Sequence, residues 1–101
     1  MERFKFSYPA TQPLPAQAQA GVVGSGDLEA LYQPQLGNTL NINVMTSVDG
    51  SHGLWQHFFD RLSALRSLPS GQLDLHDFGA TPGVARLRIE QVFEEAGDAN
   101  Q

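Results

Sequence analysis

The sequence has no cysteine, only six lysines and arginines, and no apolar run long enough to cross a bilayer. Without cysteine there is no disulfide framework, no thiol nucleophile and no thiolate metal site, and nothing speaks for an oxidising compartment. A cytoplasmic setting is therefore the expectation. Six basic residues against eleven acidic ones give a net charge of -5, which repels a phosphate backbone, and no basic stripe relieves it. This argues against a nucleic-acid binder. The opening Met1-Glu2-Arg3-Phe4-Lys5-Phe6-Ser7 lacks the uninterrupted apolar core of a signal peptide, so neither export nor membrane insertion is expected.

What is present suits one small globular domain, residues 1–101. A chain of 101 residues with 41% hydrophobic content closes one modest core, not two, and leaves little room for a deep, multi-walled active site. Phe4, Phe6 and Tyr8 alternate with Arg3, Lys5 and Ser7 in the period-two pattern of a half-buried strand, which Pro9 ends. Pro13 to Ala20 reads as a connection running into a strand. Val22 and Val23 lead into the turn residues Gly24-Ser25-Gly26-Asp27, and Leu28, Ala30 and Tyr32 then share one face, so a hairpin is expected here. After Gly37-Asn38, Leu40, Ile42 and Val44 outline a further strand whose other face, with Asn41 and Asn43, can meet water.

From Ser51 the period changes. Leu54, Trp55, Phe58, Phe59, Leu62 and Leu65 recur at helical spacing until Leu68-Pro69-Ser70-Gly71. The pattern assigns Phe58 and Phe59 to the core before Trp55, since so wide an apolar stripe can leave one member exposed. Leu73, Leu75 and Phe78 mark another strand, closed by Gly79. Thr81-Pro82 opens a second helix, with Thr81 as cap and with Val84, Leu87, Ile89, Val92 and Phe93 as its apolar positions. The tail from Gly97 to Gln101 is expected to fray. The order predicts an α+β two-layer sandwich: a mostly antiparallel sheet of about four to five strands with both helices on one face.

Among residues that could carry chemistry, Ser25 stands out because Gly24 and Gly26 leave its hydroxyl sterically open. An isolated Gly-Ser-Gly is nevertheless most simply a turn. A nucleophilic role is poorly supported: a serine needs an adjacent base, and Val23 to Asp27 lacks the nucleophile-elbow pattern because Asp27 stands where glycine is required. His52, His57 and His76 are the only imidazoles, and each reads as an ordinary surface or satisfied side chain. No metal is predicted, since no histidine spacing places two ligands on one helical face. The turn also lacks the lysine and the strand-to-helix context of a phosphate-cradling loop. Arg86 and Arg88 read as solvated helix charges and not as an anion clamp, and Glu90, Glu94 and Glu95 read as a solvated acidic face.

Two strings carry a resemblance. Gly21-Val22-Val23-Gly24-Ser25-Gly26-Asp27-Leu28-Glu29, followed later by Asp77-Phe78-Gly79-Ala80-Thr81-Pro82-Gly83-Val84-Ala85-Arg86, resembles the acyl carrier (δ) subunits of malonate decarboxylases, in order and placement over nearly the whole chain. The Ser-Gly-Asp element also looks like that of the related citrate lyase carriers. The resemblance implies a phosphoribosyl-dephospho-CoA arm joined to Ser25 through a phosphodiester, with Gly24, Gly26 and Asp27 as its turn context. It implies a non-catalytic carrier whose arm holds acetyl and malonyl groups on a terminal thiol during malonate catabolism to acetate and carbon dioxide. Chemistry of this kind resides in the prosthetic group, and the protein's part is to keep the acyl group tethered near successive sites. The implied partners are the acyl transferase and decarboxylase subunits, and the transferase that installs the arm. The Asp-Ser-Leu of helical acyl carriers does not occur here. Three rival readings stay open: a carrier of the citrate lyase type, an unmodified protein-interaction module, and a small hydrolase that uses Ser25.

Overall fold

The structure is a computed structural model and describes residues 1–98. Its elements in chain order are β1 (Glu2–Pro9), β2 (Ala18–Gly21), β3 (Leu28–Pro34), β4 (Thr39–Thr46), α1 (His52–Leu65), β5 (Gly71–Asp77) and α2 (Pro82–Asp98). The strands form one open five-stranded sheet in the order β1-β4-β5-β3-β2. Three neighbouring pairs are antiparallel and only β4 and β5 run parallel. That exception follows from connectivity, because α1 carries the chain back between them and a helical crossover is the usual link between parallel strands.

Alternation decides which face is buried. Leu28, Ala30 and Tyr32 of β3, Leu40, Ile42 and Val44 of β4, and Leu73 and Leu75 of β5 are all buried and join one core with Phe59 and Leu62 of α1 and Ile89, Val92 and Ala96 of α2. Both helices therefore cover the same face, in agreement with the expected two-layer sandwich. The opposite face carries Arg3 and Lys5 of β1, Asn43 and Met45 of β4, Asp74 and His76 of β5, and Glu29 and Leu31 of β3, which line a shallow groove of about 490 Å³.

Several details differ from the pattern-based assignment: Leu54 and Leu65 of the apolar stripe of α1 are 73% and 60% exposed, and Phe78 lies just past the end of β5 at Asp77. Trp55 is buried at 7% exposure whereas Phe58 only packs against the core from its margin, because Trp55 stacks on Phe59 and Phe58 lies edge-on to both rings. Leu87 is 53% exposed; Ala85 and Ile89 point inward instead, so the buried stripe of α2 is narrower than the leucine suggests. The helix also continues through Gly97 to Asp98, against the expected fraying from Gly97, while residues 99–101 lie outside the described part. The Thr81 cap is present: its Oγ1 accepts a hydrogen bond from Val84 N–H at 3.3 Å. Among the described residues no helix is long and apolar enough to cross a membrane.

Candidate functional site: the turn that presents Ser25

The β2–β3 hairpin places its loop where β3 begins beside the end of β5, since Leu28 pairs with Asp77. Gly21, paired with Glu29, closes β2, and Val22 and Val23 follow it as exposed side chains. The chain then reverses within four residues. Asp27 N–H donates to Gly24 C=O at 3.1 Å, which makes Ser25 and Gly26 the central pair of a β-turn. Gly26 has φ +77°, the left-handed value that a type II turn needs at its third position. Ser25 thus stands at the second position, exposed, with ordinary backbone angles.

The turn is tied down on two sides. Gly26 N–H donates to Phe78 C=O at 2.8 Å and Phe78 N–H donates to Asp27 C=O at 3.0 Å, so the loop rests on the chain leaving β5. Asp27 supplies the second tie through its carboxylate. Oδ1 accepts from Leu28 N–H at 2.7 Å and from Arg88 Nε at 3.1 Å, while Oδ2 accepts from Arg88 Nη2 at 2.9 Å. This two-bond pairing is the strong form of an arginine–carboxylate contact. The Arg88 guanidinium and the Leu28 N–H hold the Asp27 carboxyl below the usual carboxylate range, and Asp27 in turn raises Arg88.

Around Ser25 itself the space is open. A methyl group added at Gly26 would meet nothing within 4 Å, and one added at Gly24 would touch only Val22 Cγ2 at 3.8 Å. Among the hydrogen bonds of the described residues none reaches Ser25 Oγ. The histidines have other surroundings: His52 packs its ring against Phe4 and Phe6, His57 lies exposed on α1, and His76 Nδ1 sits 4.0 Å from Glu29 Oε1. No imidazole is hydrogen-bonded to the serine, so the geometry lends a hydrolase no support. Among the described residues no three His, Asp or Glu side chains gather as a metal site.

Residues 15–96 match the family model of the malonate decarboxylase delta subunit (MdcD). A malonate decarboxylase acyl carrier protein of Klebsiella pneumoniae is 59% identical over 99 residues, covering 98% of this chain and all of that protein. This chain belongs to the malonate decarboxylase acyl carrier family. Another member, from Pseudomonas fluorescens strain SBW25, is 53% identical over 97 residues, covering 96% of this chain and 98% of its own. Among solved structures, one chain of a Pseudomonas malonate decarboxylase hetero-tetramer in complex with malonate matches with a TM-score of 0.91 and 54% identity, over 96% of this chain and all of that one.

The relatives are named acyl carrier proteins, a non-catalytic carrier role. The two strings that carried the resemblance, the first ending at Glu29 and the second beginning at Asp77, meet in space through the paired hydrogen bonds between Gly26–Asp27 and Phe78. Asp77, in the second string, is buried and accepts from Thr46 Oγ1 at 2.8 Å and from Ala80 N–H at 2.9 Å, which fixes the exit from β5 on which the turn rests. Arg86 does behave as a surface charge, 3.3 Å from Glu90 one helical turn on. Arg88 does not, and its reading as a solvated charge is corrected here: it is 28% exposed and reaches across to Asp27. The signal available was its place three residues after Ala85 and four before Val92, at the edge of the buried stripe of α2.

Proposed function

We propose that this chain works in the cytoplasm as the acyl carrier subunit of a malonate decarboxylase, and that Ser25 is the attachment point of a phosphoribosyl-dephospho-CoA arm. The observation that carries this reading is the presentation of Ser25: an exposed hydroxyl with no internal partner, on a turn that is open above and fastened below. The residues leave room for such a group: Ser25 is exposed, and a β-carbon added at either flanking glycine would meet nothing closer than Val22 Cγ2 at 3.8 Å. When bound, the arm supplies a terminal thiol for acetyl and malonyl groups during conversion of malonate to acetate and carbon dioxide.

The chain's own part is presentation. Ser25 offers the oxygen that attacks the phosphorus of an activated arm precursor bound by the modifying enzyme, so that one P–O bond forms as the bond to the precursor's phosphate leaving group breaks. With both Asp27 oxygens engaged by Arg88 and Leu28, and no imidazole bonded to the hydroxyl, the proton lost on attachment passes to a base of the modifying enzyme. Gly24 and Gly26 keep the approach clear. The tether raises the local concentration of the acyl group at successive partner sites. The partners in this reading are the acyl transferase and decarboxylase subunits and the transferase that installs the arm, consistent with the hetero-tetramer to which the similar Pseudomonas chain belongs.

The test is intact and peptide mass spectrometry of the chain purified from cells that co-express the modifying enzymes and neighbouring subunits. A phosphoribosyl-dephospho-CoA mass on the Ser25 peptide, absent from Ser25→Ala, is the expected result. An unmodified Ser25 in that background would leave an interaction module as the better account.

A further inference from the structure

One side chain touches both ends of the loop that carries Ser25. The Asp27 carboxylate, just before β3, is gripped by Arg88 Nε and Nη2 at 3.1 and 2.9 Å. At the other end, a β-carbon added to Gly21 would lie 3.2 Å from Arg88 Cδ, so the alkyl stem of the arginine runs along the last residue of β2. The same hypothetical carbon would fall 2.0 Å from Leu28 C=O, and Gly21 has φ +84°; only glycine lets the strand end and the stem come this close. Arg88 is itself braced, because Nη1 donates to Gln91 Oε1 at 3.0 Å one turn further along α2. The loop between these ends, residues 22–27, contributes no buried apolar side chain to the core.

We infer that Arg88 is a positioning residue for arm attachment: acting through Asp27 and Gly21, it holds the Gly24–Asp27 turn in the conformation that the arm-installing transferase recognises. This rests on the carrier reading of Ser25 above. The physical reason is that a surface loop without a buried anchor samples several conformations, and an enzyme that reads one of them sees its affinity reduced by the fraction of time that conformation is occupied. A planar fork bonded to both carboxylate oxygens removes rotational freedom that a single ammonium contact leaves.

The experiment is steady-state arm transfer by the modifying enzyme onto purified carrier, with wild type, Arg88→Gln, Arg88→Lys, Asp27→Asn and the Asp27→Asn/Arg88→Gln pair. The thermal melt and circular dichroism of each variant are measured alongside. Arg88→Gln should raise KM for the carrier by roughly tenfold or more while kcat stays within about twofold, as expected when only the competent fraction changes. Arg88→Lys should fall in between. The double variant should be no worse than the poorer single one, because both substitutions break the same contact. Unchanged KM in a folded Arg88→Gln or Arg88→Lys protein would overturn the inference, as would additive losses in the double variant. Wild-type carrier that accepts no arm at Ser25 would instead bring down the carrier reading and this inference with it. A folded variant losing KM beside a competent wild type therefore isolates the role of Arg88.

Discussion

Strand β3 ends in two polar clusters that are built on different principles. At its C-terminal end the Tyr32 hydroxyl is buried, donates to Ser70 C=O at 2.6 Å and accepts from Leu14 N–H at 3.0 Å, while Ser70 Oγ donates to Gln35 C=O at 2.7 Å. Phe93 of α2 closes over the Tyr32 ring edge-on at 5.7 Å. The hydrogen-bonding groups there are neutral, the Tyr32 and Ser70 side chains are buried, and burial pushes the Tyr32 hydroxyl above its ordinary range. At the N-terminal end the Asp27–Arg88 pair is charged and partly solvated, 17% and 28% exposed. A hydrogen bond lost in a buried network leaves its partners unsatisfied, whereas a pair at the surface exchanges its bonds for water. One end of β3 therefore stabilises the fold. The other end spends its interactions on where a loop points.

The sharpest way to separate the two ends is to remove one hydroxyl from each. Ser25→Ala should abolish arm attachment altogether yet change stability by no more than about 0.5 kcal/mol, as for an exposed site without partners. Tyr32→Phe should do the reverse, costing about 1–3 kcal/mol for the orphaned Ser70 carbonyl and Leu14 amide while arm attachment proceeds at the wild-type rate in folded protein. Chemical denaturation paired with mass spectrometry reads both. A Ser25→Ala protein as destabilised as Tyr32→Phe would show that the Ser25 turn is structural and break the contrast.

The contrast also explains what was legible in the sequence. Strands announce themselves through alternation, so Phe4, Phe6 and Tyr8, or Leu40, Ile42 and Val44, give both an element and its buried face. The helical stripe around Phe59 and the Thr81 cap are equally local signals. Ser25 was visible because its two glycines are its neighbours in the chain. Arg88 was not, since its partner Asp27 is 61 residues away and helical spacing alone cannot show which loop lies above a helix edge. The order of Trp55 and Phe58 failed for a related reason: periodicity defines a stripe, but which ring is covered depends on the sheet beneath, where Phe59 takes the centre and Trp55 stacks on it. The parallel pairing of β4 with β5 was likewise a property of how the elements pack, not of either strand's pattern.

A smaller effect should come from Gly26→Ala, which forces a side chain into φ +77° at a place where nothing crowds it. The cost should be about 1–2 kcal/mol for the left-handed conformation alone, or the turn should change type and relieve it. In the second case the amide at position 26 would leave Phe78 C=O and exchange with solvent faster than the Gly26 N–H of wild type, and arm transfer would slow although stability is kept. Hydrogen exchange at Gly26, followed beside the transfer rate, distinguishes the two. Unaltered exchange with an unaltered melt would mean the turn tolerates a β-carbon and that its glycine is not required for shape.

The smallest expected effect, and the one that probes the charge itself, is acidification. The folded-state pKa of Asp27 is depressed by Arg88 and the Leu28 amide, so its contribution to stability is present above the unfolded value of about 3.9 and is lost as the pH falls through the lower folded value. In wild type the carboxyl signal of Asp27, followed by NMR, should therefore titrate below that of an unpaired aspartate, and the Leu28 amide should lose protection over the same interval. Arg88→Gln removes the largest cause of the depression, so both transitions should move to higher pH. The Tyr32–Ser70–Leu14 hydrogen bonds contain no carboxyl group and should persist in both proteins until the fold as a whole gives way. Identical Asp27 titrations with and without the Arg88 guanidinium would mean that the pair does not persist in solution. The turn would then be held only by the backbone bonds to Phe78, and the two ends of β3 would differ in solvation but not in the use of charge.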